Sequence, residues 1–107
     1  MIAPTHFDRV PQPNNLFGTI DTTNLGKYFV TLSWQVNRNN NLKNFEVRRA
    51  INNIASDQAA GNTTETNFVD SNFTVGANDS ILFYYVVPQG EDRFVGQSSE
   101  TIKLNIK

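Results

Sequence analysis

Residues 27–36 read KYFVTLSWQV. Tyr28, Val30, Leu32, Trp34 and Val36 alternate there with Phe29, Thr31, Ser33 and Gln35. A period of two sends successive side chains to opposite faces of an extended strand. The set containing Trp34 is apolar, and its complement is mostly Thr, Ser and Gln. Val30, Leu32 and Trp34 therefore face a core, and Phe29 is an aromatic left on the outer side.

The same pattern continues outward from this strand. Residues 37–44 (NRNNNLKN) read as a turn, because asparagine tolerates left-handed backbone and bonds its own main chain. Residues 45–50 (FEVRRA) alternate again, with Phe45 and Val47 inward. Residues 51–64 are small and polar. They hold a helix-like patch at 55–60 but too few good helix formers for a full helix. Residues 66–70 (TNFVD) form a short strand that brings Phe68 to the core, and 75–79 turn the chain. Residues 81–88 (ILFYYVVP) are a continuous run of strand formers, followed by a turn at 89–92. The last strand, 101–107, places Ile102, Leu104 and Ile106 on one face. At the start, Phe7 and Val10 suggest a strand before Pro11 and Pro13 that continues at 16–20. Proline lacks a ladder donor, which makes this an edge position.

Strands separated by polar turns, without a convincing helix, predict an all-β antiparallel sandwich. Roughly seven strands in about 100 residues is the size of an immunoglobulin-like sandwich. The 107 residues suit one domain, and folding hides roughly 65% of the unfolded surface of such a chain.

Several stretches together resemble the fibronectin type III domain. Ala3-Pro4, the strand Val30-Thr31-Leu32-Ser33-Trp34 and the strand Phe45-Glu46-Val47-Arg48-Arg49 resemble its A, B and C strands. Thr66-Asn67-Phe68-Val69-Asp70 with Phe73 and Gly76 resembles strand E and its turn. Tyr84-Tyr85-Val86-Val87, Gly90 and Ser98-Ser99-Glu100 resemble strand F, the F–G loop and the start of G. The resemblance implies a three-plus-four sandwich with a buried tryptophan, Trp34. It also implies a tyrosine near strand F that locks a corner. Extra residues before strand F leave open which of Tyr84 and Tyr85 points inward. The A–B region, 11–27, is longer than the family's, and 89–96 holds no Arg-Gly-Asp tripeptide.

Composition narrows the chemistry. There is no cysteine, which removes disulfides and thiolate metal sites. The formal net charge is −1, and Arg48-Arg49 is the one adjacent basic pair, so no stripe for nucleic acid is visible. No apolar run approaches the roughly 18 residues of a spanning helix. The N-terminus lacks the basic and apolar regions of a secretory signal. The chain is thus read either as a complete protein or as a domain cut from a larger one.

The single histidine, His6, has no triad spacing around it and is read as a surface residue. Glu91-Asp92 is the one adjacent acidic pair, too few oxygens for calcium and read as a solvated loop tip. The acceptor patterns at Asn62, Asn72 and Asn78 are expected by chance in a chain this rich in Asn, Ser and Thr. Arg48 and Arg49 point to opposite faces of a strand and cannot form one anion fork with Arg93. They are read as solvated or stem-packed. The run 81–87 is apolar on both faces, which an outer face tolerated by a central strand or one covered by a partner would each explain. Tyr84 is placed with the core residues Trp34, Val30, Leu32, Phe45, Val47, Phe68 and Leu104. Phe29, Phe83, Tyr85, Arg93 and Phe94 are the protein-interface candidates.

No catalytic residue, metal or cofactor is expected. The function expected is a non-enzymatic structural or protein-interaction module. The first reading is an accessory bacteriophage virion protein, a capsid decoration or tail accessory that assembles in the host cytoplasm and docks on capsid or tail subunits. The alternative is a spacer or adhesive module excised from a secreted or cell-surface bacterial carbohydrate-active enzyme or adhesin, with a cell-surface glycan as a further ligand. No nucleic-acid or membrane partner is expected.

Overall fold

A computed structural model describes residues 10–22, 27–71, 73–91 and 94–106. Ala3, Pro4, His6, Phe7, Asn72, Asp92 and Arg93 lie outside the described residues. Seven strands follow in order: β1 (Asn14–Thr22), β2 (Tyr28–Gln35), β3 (Leu42–Ile51), β4 (Gln58–Thr63), β5 (Asn67–Asp70), β6 (Ile81–Gly90) and β7 (Ile102–Asn105). A 3-10 turn, Ile54–Ser56, precedes β4. The strands form two antiparallel sheets, β1-β2-β5 and β4-β3-β6-β7. The protein is an all-β sandwich with the three-plus-four division that the resemblance implies.

Strict alternation builds the core. Val30, Leu32 and Trp34 of β2, Phe45 and Val47 of β3, and Leu82, Tyr84 and Val86 of β6 are buried, with Leu16 and Leu42 beside them. Burying each large aliphatic or aromatic side chain contributes roughly 1.5–3 kcal/mol. Trp34 meets Phe45 edge-on, with ring centroids 5.3 Å apart and planes at 74°, so an aromatic contact joins the two sheets directly. Phe68 and Leu104 lie half-buried at the rim of this cluster, because β5 and β7 are both edge strands. Ile102 and Ile106 share the face of Leu104 and pack on the same cluster.

Both sides of the sandwich close on a missing side chain. A Cβ on Gly61 of β4 would lie 2.6 Å from Cζ of Phe68, and one on Gly18 of β1 would lie 2.8 Å from Leu32 Cδ2 and 3.1 Å from Ile102 Cδ1. Glycine at these two places lets the edge strands of opposite sheets come together.

Three local readings are corrected. The segment 51–64 holds a strand, β4, that sequence periodicity missed. As an edge strand with a bulge against β3 it needs little apolar surface, and its half-buried positions are filled by Ala60, Gly61 and Thr63. The helix-like patch contributes one 3-10 turn, capped by Asn53, whose Oδ1 accepts from the Ala55 amide at 3.0 Å. The turn after β2 ends sooner than expected: Asn39 Oδ1 accepts from the Asn41 amide, and β3 starts at the buried Leu42. The turn expected at 89–92 starts later, because Gln89 and Gly90 still pair with Asn44 and Leu42.

β6 tolerates Pro88 for a geometric reason. The amide of Gly96 donates to Pro88 O, so the edge on which proline lacks its N–H faces the incoming F–G segment and not β3. Nearby, Ser99 Oγ accepts from the Val86 amide at 2.9 Å, serving a donor that β7 does not reach.

Candidate functional site

Charged side chains concentrate at three places. The first is internal. Arg49 and Tyr84 are direct cross-strand partners on β3 and β6, and Asp70 ends β5 in the opposite sheet. Arg49 is 9% and Asp70 1% exposed. Arg49 Nη1 donates to both Asp70 oxygens at 2.8 and 2.7 Å, and the Tyr84 hydroxyl donates to Oδ2 at 2.6 Å. The guanidinium also lies over the Phe73 ring, 5.2 Å from its centroid. Burial, followed by the bond to Asp70, pushes the Tyr84 phenol well above its ordinary range. Arg49 therefore is not the solvated or stem-packed residue expected; its head is buried in an ion pair that bridges the sheets. Tyr84 is the inward tyrosine, and its hydroxyl meets a carboxylate.

The second place is the outer face of the four-stranded sheet. Arg48 Nε donates to Asp57 Oδ2 at 2.9 Å, its Nη1 reaches Glu46 at 3.5 Å, and the Tyr85 hydroxyl donates to Asp57 Oδ2. The bonds from Tyr85 and Arg48 hold the Asp57 carboxyl below its usual range. The same bond to Asp57, with burial, raises the Tyr85 phenol. Arg48 and Arg49 do point to opposite faces, each with its own carboxylate. Phe83 and Tyr85 are half-buried, and Asp57 and Arg48 lie on this face.

The third place is the end of that sheet. Beyond Gly90 the chain reverses: Phe94 N donates to Glu91 O at 3.0 Å, Gly90 N to Phe94 O at 2.6 Å, and Val95 bridges back to Gln89. The reversal leaves a cleft of about 220 Å³ lined by Asn44, Gln89, Gly90, Phe94 and Val95. Phe94 is 67% and Val95 60% exposed. Asn44 Oδ1 is buried and has no hydrogen-bond partner, an exception to the rule that buried acceptors are paired. On the rim, Lys43 and Glu91 pair at 2.8 Å, which lowers the Glu91 carboxyl.

The interface candidates are not brought together. Phe83 and Tyr85 lie on the outer face of one sheet, and Phe29 lies on the outer face of the other, opposite Asp21. Phe94 stands at the cleft, and Arg93 is outside the described residues. Sequence reading missed Asn44, taken as a turn residue, and the exposed pair Phe17 and Val69 on the Phe29 face. Among the described residues no three His, Cys, Asp or Glu side chains group as a metal site would.

Comparison with solved structures shows what this geometry is shared with. A glycoside hydrolase domain, Endo-D, from Streptococcus pneumoniae R6 matches over 92% of this chain, with a TM-score of 0.68 and 12% identity. Pectate lyase PelI from Erwinia chrysanthemi, solved with tetragalacturonic acid, matches over 82% with a TM-score of 0.55 and 13% identity. A structure of titin kinase and its flanking domains matches over 88% with a TM-score of 0.62 and 15% identity. The sandwich is immunoglobulin-like. At these identities the likeness is one of fold. The chain spans 15%, 27% and 16% of those three proteins. No family model matches the sequence, and neither does any curated protein.

Proposed function

We propose that this immunoglobulin-like sandwich is a non-catalytic accessory module of a longer carbohydrate-active polypeptide, acting there as a spacer or adhesive unit outside the cell. The observation that carries the reading is the share of the neighbours it covers. In each, a sandwich of this shape is a minor part of a much longer chain, and two of the three are named as enzymes acting on glycans. The pairing of the charges supports it: Arg48, Arg49, Asp57 and Asp70 are engaged in contacts that hold strands together. None of the three neighbours is named as a virion component, and the bacteriophage reading is carried no further.

Within the immunoglobulin-like class, the strand order favours the fibronectin type III kind. In constant-type immunoglobulin domains the fourth strand in chain order, D, joins the sheet that holds strands A, B and E. Here β4 pairs with β3, in the sheet of β6 and β7.

The test is the size and content of the native polypeptide. An antibody raised against this chain, used on the culture medium and cell envelope of the source, should detect a product far larger than 12.0 kDa. Mass spectrometry of that product should place a glycan-cleaving domain in the same chain. A secreted or particle-bound product of about 12 kDa alone refutes the reading.

A further inference from the structure

The outer face of the three-stranded sheet is open. β2 runs down its middle, with β1 and β5 on either side. Phe17 stands beside Ser33, Thr31 lies between Thr19 and Val69, and the half-buried Phe29 closes the other end beside Asp21. Phe17 is 62% and Val69 57% exposed, and Thr19, Thr31 and Ser33 are exposed with them. At roughly 3.4 Å per residue, the two phenylalanines lie about 14 Å apart along β2. The apolar groups are thus spaced out, and hydroxyls that both donate and accept fill the gaps.

That alternation decides the ligand class. A protein partner has to dehydrate the hydroxyls to reach the apolar groups, which costs free energy wherever a hydroxyl is left unpaired. The face is also small: three strands about 4.8 Å apart and the 8 residues of β2 give a footprint of about 400 Å², half the roughly 800 Å² per partner of a standard protein interface. An acidic ligand finds no cation on the strands, whose outward positions carry one charge, Asp21. A linear glycan alternates C–H surface with hydroxyl groups along its length and so matches both kinds of position. We propose that this face binds an internal stretch of a neutral linear glycan, with sugar rings against Phe17 and Phe29 and their hydroxyls bonded to Thr19, Thr31 and Ser33. An open sheet has no wall to recognise a chain end, so the ligand lies across it. This rests on the reading of the chain as a module of a carbohydrate-active polypeptide and gives that module its adhesive part.

The experiment is an NMR titration of the 15N-labelled chain with cellohexaose, mannohexaose, xylohexaose, maltohexaose and chitohexaose, and with methyl β-glucoside as the single-ring probe. At least one hexasaccharide should shift the backbone amides of Phe17, Thr31 and Val69 along one saturating curve, with a dissociation constant on the order of 1 mM. Methyl β-glucoside should bind far more weakly, because one ring reaches only one of the two phenylalanines. Phe17→Ala should weaken the hexasaccharide about fivefold, and Thr31→Ala about threefold; both side chains are exposed, so neither change disturbs the core. Absence of shifts with all five hexasaccharides overturns the proposal, as does parental binding by both variants, equal binding of the single ring, or shifts centred away from this sheet. Shifts on this face that follow protein concentration without glycan mark a second copy of the chain as the occupant and overturn it too. A silent face on a long glycan-cleaving polypeptide refutes this inference and leaves the module reading intact. A glycan-binding face on a stand-alone chain does the reverse.

Discussion

The contact between Arg49, Asp70 and Tyr84 makes a quantitative demand. Replacing Asp70 with alanine leaves a guanidinium that is 9% exposed with no carboxylate, and it strips the Tyr84 hydroxyl of its acceptor. Removing one partner of a buried ion pair costs about 3–5 kcal/mol, because the other charge is left dry and uncompensated. Each kcal/mol moves the melting midpoint of a domain this size by about 4–8 °C, so Asp70→Ala should melt at least about 12 °C below the parent. Against a typical total of about 5–15 kcal/mol, that loss removes between about a fifth and all of the stability. Tyr84→Phe removes one bond to a charged group and should cost about 1.5–3 kcal/mol. The double variant Arg49→Met, Asp70→Leu removes both charges and fills the space, and should recover most of the loss. Urea denaturation followed by tryptophan fluorescence reads all four proteins. If Asp70→Ala costs less than about 1 kcal/mol, or if the double variant is worse than Asp70→Ala, the contact is not the buried pair described.

Three further outcomes are expected. Gly61→Ala forces a Cβ to within 2.6 Å of Phe68 Cζ and should cost about 1–3 kcal/mol; Phe68→Leu in the same chain should restore part of it, as read by denaturant midpoint. Trp34 is 4% exposed, so iodide should quench its fluorescence weakly until the protein unfolds. The pH limits follow from Tyr85 and Asp57. Tyr85 has a raised folded pKa, so its contribution is full below the ordinary phenol range and is lost as pH rises through the folded value. Asp57 has a lowered folded pKa, so its contribution is full above the ordinary carboxylate range and is lost as pH falls through the folded value. Tyr85→Phe should lower the melting temperature at neutral pH and flatten the alkaline side of the melting-temperature profile, where the parent has already lost this contribution.

The parts of the fold legible in the sequence are those where apolar and polar residues alternate. Val30, Leu32 and Trp34, and likewise Phe45 and Val47, are inward because a strand allows no other arrangement once one face must be buried. The edge strand β4 was hidden for the converse reason: a strand with a single partner and a glycine at its seam carries no apolar signature. The run 81–87 marks a central strand, but its apolar residues on both faces cannot rank Tyr84 against Tyr85. That choice is settled by register, which pairs Tyr84 with the inward Arg49 and Tyr85 with the outward Arg48. The rule that sends Val47 inward also sends Arg49 inward, and Phe68 carries Asp70 with it. Two opposite charges at inward positions were therefore visible, but their meeting depends on how the sheets stack. The cleft was the least legible element. Asn44 sits in an asparagine-rich stretch that composition assigns to a turn, and its orphaned oxygen exists only because the chain folds back from Gly90 to Val95.

The internal ion pair also bears on the order in which the protein assembles. Arg49 and Tyr84 reach each other within one sheet, whereas Asp70 arrives with the other. Until the sheets dock, the carboxylate and the guanidinium remain hydrated, and nothing is gained by desolvating either alone. The bond is therefore expected to close late in compaction, and a φ-value near zero for Asp70→Ala would bear this out. An interaction formed after the rate-limiting barrier does little for the speed of folding and acts almost wholly on the speed of unfolding. In this sandwich the charges act as a latch on the finished structure, setting how long the two sheets stay together once hydrophobic burial has brought them into place.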